Sequence, residues 1–144
     1  MTMPASDRPR DRLGRPLRRG SSSDAVPGIE PALITSDATA WTLALDYLGA
    51  GLPFHAHEVF EERWRQCAGE QRCAWRSLAQ WAAALTHAAR GNTTGARSMA
   101  QRAAESLLAC ETTPPEIDVP RVVASCRELA DGRMDDTASE RPLP

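Results

Sequence analysis

The segment from about Arg72 to Arg90 constrains the fold most, because it is rich in alanine and nearly apolar all round. A helix of this composition is normally central and covered on several sides. Gly91 follows it and suits the left-handed cap that ends many helices. The segment therefore predicts the central helix of a bundle. Its apolar positions are Trp75, Leu78, Ala79, Trp81, Ala82, Ala83, Ala84, Leu85, Ala88 and Ala89.

Apolar periodicity, together with capping and breaking residues, predicts four further helices. No run alternates polar and apolar residues for long enough to make a strand. We therefore predict an all-α fold, a compact bundle of about five helices. The four predicted ranges are Ser36 or Asp37 to Leu48, Pro53 to about Cys67, about Thr94 to Ala109, and a helix that Asp118 caps and Gly132 ends.

The length of the chain suits one domain with a modest core. Residues 1–34 are predicted to be a disordered, Arg-rich arm, because their prolines, glycines and serines leave no periodic apolar face. Residues 35–133 are the predicted helical domain, and residues 134–144 a disordered tail. The arm could contact nucleic-acid phosphates weakly. It has no aromatic residue to stack on bases, so we expect a solvated tail and no nucleic-acid partner.

Composition also limits the compartment and the partners. A net charge of −2 gives no general attraction to nucleic acid or to an anionic membrane. No stretch approaches the ~18 apolar residues of a membrane span, and no secretory apolar segment is present. The cysteines lack the C-x-x-C spacing of zinc or redox sites. We expect a cytoplasmic protein with reduced thiols, at Cys67, Cys73, Cys110 and Cys126.

The segment 54–64 concentrates the chemistry of the chain, with two histidines, three carboxylates and three aromatic residues. At ~100° per residue, His57, Glu61 and Trp64 share one helical stripe that should face inward. Burying an imidazole and a carboxylate costs free energy unless they are paired. The stripe therefore predicts a site. His55 projects toward a more polar side, so we expect it to be exposed.

Two motifs along the chain resemble the bacterial and archaeal domain-of-unknown-function family 309. The resemblance covers about Leu48 to Leu108 and implies a small all-helical domain. It further implies a suggested metal-binding role without an established activity. The motifs are His57-x-x-x-Glu61-x-x-Trp64 and Arg90-Gly91-Asn92-x-x-Gly95-Ala96.

The sharpest hypothesis for the site is a single divalent metal. His57 and Glu61 are one turn apart, and His87 of the alanine-rich helix could supply a second imidazole. Two histidines and one carboxylate suit zinc or ferrous iron and leave positions open to activate a water. Glu58 would then serve as a base beside the metal.

Two alternatives remain open. A metal-free pocket could bind a small ligand, with Arg90 clamping a carboxylate or phosphate. Otherwise the cluster only fixes helix packing in a structural or interaction module, for instance a homodimer. No serine or cysteine has an identifiable base partner, so no reaction is predicted. The candidate site residues are His57, Glu58, Glu61, Trp64, Gln80, His87, Arg90 and Asn92.

Overall fold

The computed structural model describes residues 10–16 and 26–132. In these ranges, helices account for the regular structure, apart from an isolated bridge between Arg10 and Pro16. The all-α prediction is confirmed, and the predicted ranges nearly coincide with the observed helices. After a 3-10 turn at Pro31–Leu33 come α1 (Asp37–Gly49), α2 (Pro53–Gln66), α3 (Gln71–Ala89), α4 (Thr93–Ala109) and α5 (Val119–Ala130).

Side-chain caps begin three of these helices. The Ser36 hydroxyl accepts from the Thr39 backbone N–H at 3.1 Å, and the Thr39 hydroxyl accepts from the Ser36 N–H at 3.0 Å. Asn92 caps α4 at 3.0 Å and Asp118 caps α5 at 3.1 Å. Gly91 has φ +84°, the left-handed conformation predicted for the end of α3. These caps satisfy helix-end groups locally, which is why the helix bounds could be predicted from sequence.

The α3 helix is central, as predicted. It packs against α2, α4 and α5, while α1 packs against α2 and α4 against α5. Ala74, Trp75, Leu78, Ala82 and Ala84 of α3 are fully buried. None of the described helices is both long and apolar enough to cross a membrane.

An aromatic cluster around Phe60 holds α2 on the rest of the bundle. The Phe60 ring lies 6.3 Å from Trp41, 6.1 Å from Trp75 and 6.2 Å from Trp81, measured between centroids. All four rings are buried, so Trp41, Trp75 and Trp81 anchor the core together with Phe60. Phe60 is one turn from His57, and its burial thereby sets which face of α2 carries the candidate site.

Residues 26–34 lie in the predicted arm, yet they pack on the bundle. Ile34 is 2% exposed and belongs to the core. The Pro27 carbonyl accepts from His55 Nε2 at 2.8 Å, and His55 is only 3% exposed. The predicted exposure of His55 is therefore wrong. Its side of α2 is covered by a segment that has no periodic pattern of its own.

Residues 10–16 form a loop, called here the N-terminal loop, that also contacts the bundle. The Arg10 guanidinium lies 5.2 Å from the Phe54 ring centroid. The Leu13 carbonyl accepts from Arg90 Nη2 at 2.7 Å and from Nε at 3.0 Å. The rest of the predicted arm (residues 1–9 and 17–25) and the predicted tail at 134–144 lie outside the described residues.

Gly14→Ala should release the N-terminal loop from α2. Gly14 has φ +81°, and an added Cβ would overlap the Phe54 ring. The left-handed conformation alone costs a non-glycine residue ~1–2 kcal/mol, so trypsin should cleave after Arg10 and Arg12 about tenfold faster. Gly28→Ala is the matched control, since nothing lies within 4 Å of its added Cβ. Equal cleavage rates in the two variants would show that the loop does not depend on this contact.

The expectation of four reduced thiols is wrong for one pair. Cys73 and Cys110 form a disulfide that joins α3 to the end of α4 across 37 residues of sequence. Cys67 and Cys126 are free. Burial raises the pKa of the Cys126 thiol to about 12, and burial also raises the pKa of Cys67, with Arg63 opposing. Neither free thiol is an activated nucleophile, because the reactive species is the thiolate.

Candidate functional site

Three side chains from the middle of α2 converge, and we call them the α2 cluster: His57, Glu58 and Glu61. His57 Nδ1 lies 3.9 Å from Glu58 Oε2, and His57 Nε2 lies 4.0 Å from Glu61 Oε2. One ligating atom from each residue lies within 4.8 Å of the other two. An imidazole and two carboxylates at such distances offer a ligand set for a divalent cation.

Local structure explains why these residues meet. Pro53 opens α2 at a position where its missing N–H is not needed, so the helix is already formed at His57. His57 and Glu61 are then one turn apart on one face. The Phe54 ring stacks on His57 at 5.9 Å between centroids with an interplanar angle of 28°, which restricts the orientation of the imidazole.

The α2 cluster lies at the border between core and solvent. The side chains of His57, Glu58 and Glu61 are 23%, 30% and 35% exposed, so the inward orientation predicted for His57 and Glu61 is only partial. The Nδ1 atom of His57 is buried and has no hydrogen-bond partner within the described structure. The Glu58 oxygen at 3.9 Å is too distant to serve as that partner. The cluster therefore retains unused ligating capacity.

The two oxygens of Glu61 have different surroundings. Oε1 accepts from Arg65 Nη2 at 3.0 Å, whereas Oε2 faces the His57 imidazole. The Arg65 side chain is 57% exposed, so this ion pair adds little to stability. It does orient the carboxylate, and Oε2 remains available to a ligand beside His57.

A groove of about 240 Å³ opens next to the α2 cluster. We call it the α2–α3 groove. Its α2 wall is His57, Glu61 and Trp64. The Arg72 guanidinium lies 4.0 Å from the centroid of the Trp64 ring, a cation–π contact that fixes one end of this wall. The other walls are Arg76, Ala79, Gln80 and Ala83 of α3 and Met99 of α4.

Two polar side chains of α3 lie in the groove without partners. Gln80 Oε1 is buried and accepts no hydrogen bond from any described group. Arg76 is exposed and makes no hydrogen bond or ion pair within residues 10–16 and 26–132. Arg76 and Gln80 are one turn apart on the same stripe of α3. Gln80 was a sequence-predicted site residue. Arg76 was missed, although its four-residue spacing from Gln80 was a usable signal.

The other predicted residues form a separate group at the corner between α3 and α4. His87 Nδ1 lies 3.1 Å from Asn92 Nδ2, and Asn92 caps α4. Arg90 donates to the Leu13 carbonyl of the N-terminal loop. His87 follows Gln80 by seven residues, about 10 Å along the helix axis, which explains its separation from the groove. In the described structure it is Glu58, and not His87, that completes the group with His57 and Glu61.

Comparison with known proteins agrees with the two sequence motifs. The family model described as domain of unknown function (DUF309) matches residues 41–99, from α1 into α4. No curated protein and no solved structure matches the chain. The matched range includes the α2 cluster and every residue that lines the α2–α3 groove. Over this range, the chain is similar to the DUF309 family.

Proposed function

We propose that the α2 cluster binds one divalent transition-metal ion, with His57, Glu58 and Glu61 as its protein ligands. The observation that carries the proposal is that one ligating atom from each of the three residues lies within 4.8 Å of the other two. One imidazole with two carboxylates suits zinc or ferrous iron, the two metals expected from the sequence. The buried, unpartnered Nδ1 of His57 supports the same conclusion, because a metal would satisfy it.

The ligand atoms need to close only slightly around a metal. Zinc bonds of ~2.0–2.2 Å in tetrahedral geometry hold neighbouring ligands about 3.4 Å apart, which is about 1.4 Å less than the 4.8 Å limit seen here. Glu58 and Glu61 are partly exposed, so their side chains can rotate without repacking the core. The stacked Phe54 ring restricts the His57 imidazole while the two carboxylates rotate.

The arrangement favours chemistry on the groove side of the cluster. A divalent metal with three protein ligands keeps positions open and acts there as a Lewis acid that can activate a water. The groove shares His57 and Glu61 with the cluster, so a molecule in the groove would lie next to those positions. The competing function is a structural or interaction module, for instance a homodimer, in which the cluster only fixes helix packing.

Calorimetric titration with zinc distinguishes the metal-binding function from the structural or interaction function. Untagged wild-type protein should bind one zinc per chain, and His57→Ala should weaken binding on the order of 100-fold or more, because one of three ligands is lost. His87→Ala is the matched control, since it removes an imidazole outside the cluster and should leave zinc affinity unchanged. Circular dichroism confirms that each variant is folded.

Absence of zinc and ferrous-iron binding to folded wild-type protein would refute the metal proposal. In that case, variants at His57 and Glu61 that merely melt at lower temperature would favour the packing function. Equal loss of affinity in His57→Ala and His87→Ala would instead mean that the metal lies elsewhere.

A further inference from the structure

The charge balance around the α2–α3 groove becomes more positive when a divalent metal occupies the α2 cluster. Without a metal, the carboxylates of Glu58 and Glu61 offset the positive charge of the arginines near this side of the groove. A divalent cation balances the two carboxylates, and Arg65 also pairs with Glu62 at 3.2 Å. The charges that remain beside the groove are then positive, those of Arg72 over Trp64 and of the unpaired Arg76. A groove with this balance attracts anions.

The uncharged residues of the groove indicate which features, besides negative charge, a bound ligand would have. Ala79, Ala83 and Met99 offer an apolar surface. Gln80 Oε1 is a buried acceptor without a donor among the described residues, and leaving such an atom unpaired is costly. The volume of about 240 Å³ is below the range of ~300–1,000 Å³ typical of pockets for drug-sized molecules, so the ligand is small.

We infer that the α2–α3 groove binds a small organic carboxylate with an apolar body and a hydrogen-bond donor. Its carboxylate pairs with Arg76 at the rim, its body contacts Ala79 and Ala83, and its donor reaches Gln80. Arg76 and Gln80 are four residues apart, which is about 6 Å along the helix, so the carboxylate and the donor are separated by about that distance. This inference rests on the proposed metal, which neutralises Glu58 and Glu61.

Three matched probes test each feature of this ligand. 4-Hydroxybenzoate has the carboxylate, the apolar ring and a donor at the opposite end. Benzoate lacks the donor, and 4-hydroxybenzamide lacks the charge. Calorimetry on zinc-loaded protein should give 4-hydroxybenzoate a Kd on the order of 1 mM, the affinity expected of a ligand with about ten heavy atoms. Benzoate and the amide should each bind about two- to tenfold more weakly, the effect of one hydrogen bond or one exposed charge pair.

Substitutions assign each preference to a residue. Arg76→Gln should abolish the preference for 4-hydroxybenzoate over the amide, and Gln80→Leu should abolish its preference over benzoate. Each variant should retain the other preference. Arg102→Gln removes an exposed charge of α4 that does not line the groove, and it should change neither preference.

The outcomes distinguish this inference from the metal proposal. Zinc binding without discrimination among the probes, or equal effects of Arg76→Gln and Arg102→Gln, would overturn the inference and leave the metal site standing. A protein that binds no zinc would overturn both. Metal-free protein should bind 4-hydroxybenzoate at least severalfold more weakly than zinc-loaded protein, and equal affinities would also contradict the inferred role of the metal.

Discussion

Trp75→Ala should lower the free energy of unfolding by about 3–5 kcal/mol, the cost of removing a large aromatic side chain from a packed core. Trp75 is fully buried on the central helix and lies 6.1 Å from Phe60 between ring centroids. Its indole Nε1 makes no hydrogen bond to the described residues, so the loss is one of packing. The substitution leaves a cavity where α2 and α3 meet.

Urea unfolding, monitored by circular dichroism, measures this loss. Leu108→Ala is the control on α4, because Leu108 is 58% exposed and its truncation should change stability by less than about 0.5 kcal/mol. A loss below about 1 kcal/mol in Trp75→Ala would mean that the aromatic cluster does not anchor the bundle.

The second large effect comes from the disulfide. Replacing both Cys73 and Cys110 with serine should reduce the free energy of unfolding by about 4 kcal/mol, because a cross-link closing a loop of this length restricts the unfolded chain. Dithiothreitol should destabilise the wild-type protein by a similar amount and leave the double variant unaffected. Cys67→Ser, which alters a free thiol, should respond to the reductant as the wild type does.

Insensitivity of the wild type to reductant would mean that the disulfide contributes nothing to stability. The same pair tests the expected cytoplasmic location. Glutathione keeps most cytoplasmic thiols reduced, so alkylation of living cells should find Cys73 and Cys110 reduced if the protein is cytoplasmic. An oxidised pair would argue for an oxidising compartment.

Local signals account for the part of the fold that could be predicted from sequence. Ser36, Asn92 and Asp118 cap helices through bonds to residues three positions on, and Gly91 ends α3 through its own backbone conformation. The burial of His55 could not be predicted in this way. It depends on the Pro27 carbonyl, 28 residues away in sequence.

The same distinction between local signals and distant contacts applies to the candidate site. The proximity of His57 and Glu61 followed from their one-turn spacing, and Gln80 from its position on the central helix. Arg90 is predicted to clamp a carboxylate or phosphate, and in the structure its Nε and Nη2 donate to the carbonyl of Leu13 in the N-terminal loop, 77 residues away. Tertiary contacts of this kind have no local signature. The spacing of Arg76 from Gln80 places both on one stripe of α3, but the lack of a partner for Arg76 among the described residues depends on how α2, α3 and α4 pack.

Anomalous diffraction at the zinc absorption edge, from crystals of zinc-loaded protein, is the most direct test of the α2 cluster. We predict one strong peak per chain within about 2.0–2.2 Å of His57 and of one oxygen each from Glu58 and Glu61. The peak should vanish in crystals of His57→Ala and persist in those of His87→Ala. A wild-type map without a peak at α2, or with its peak at His87 and Asn92, would contradict the proposed metal site.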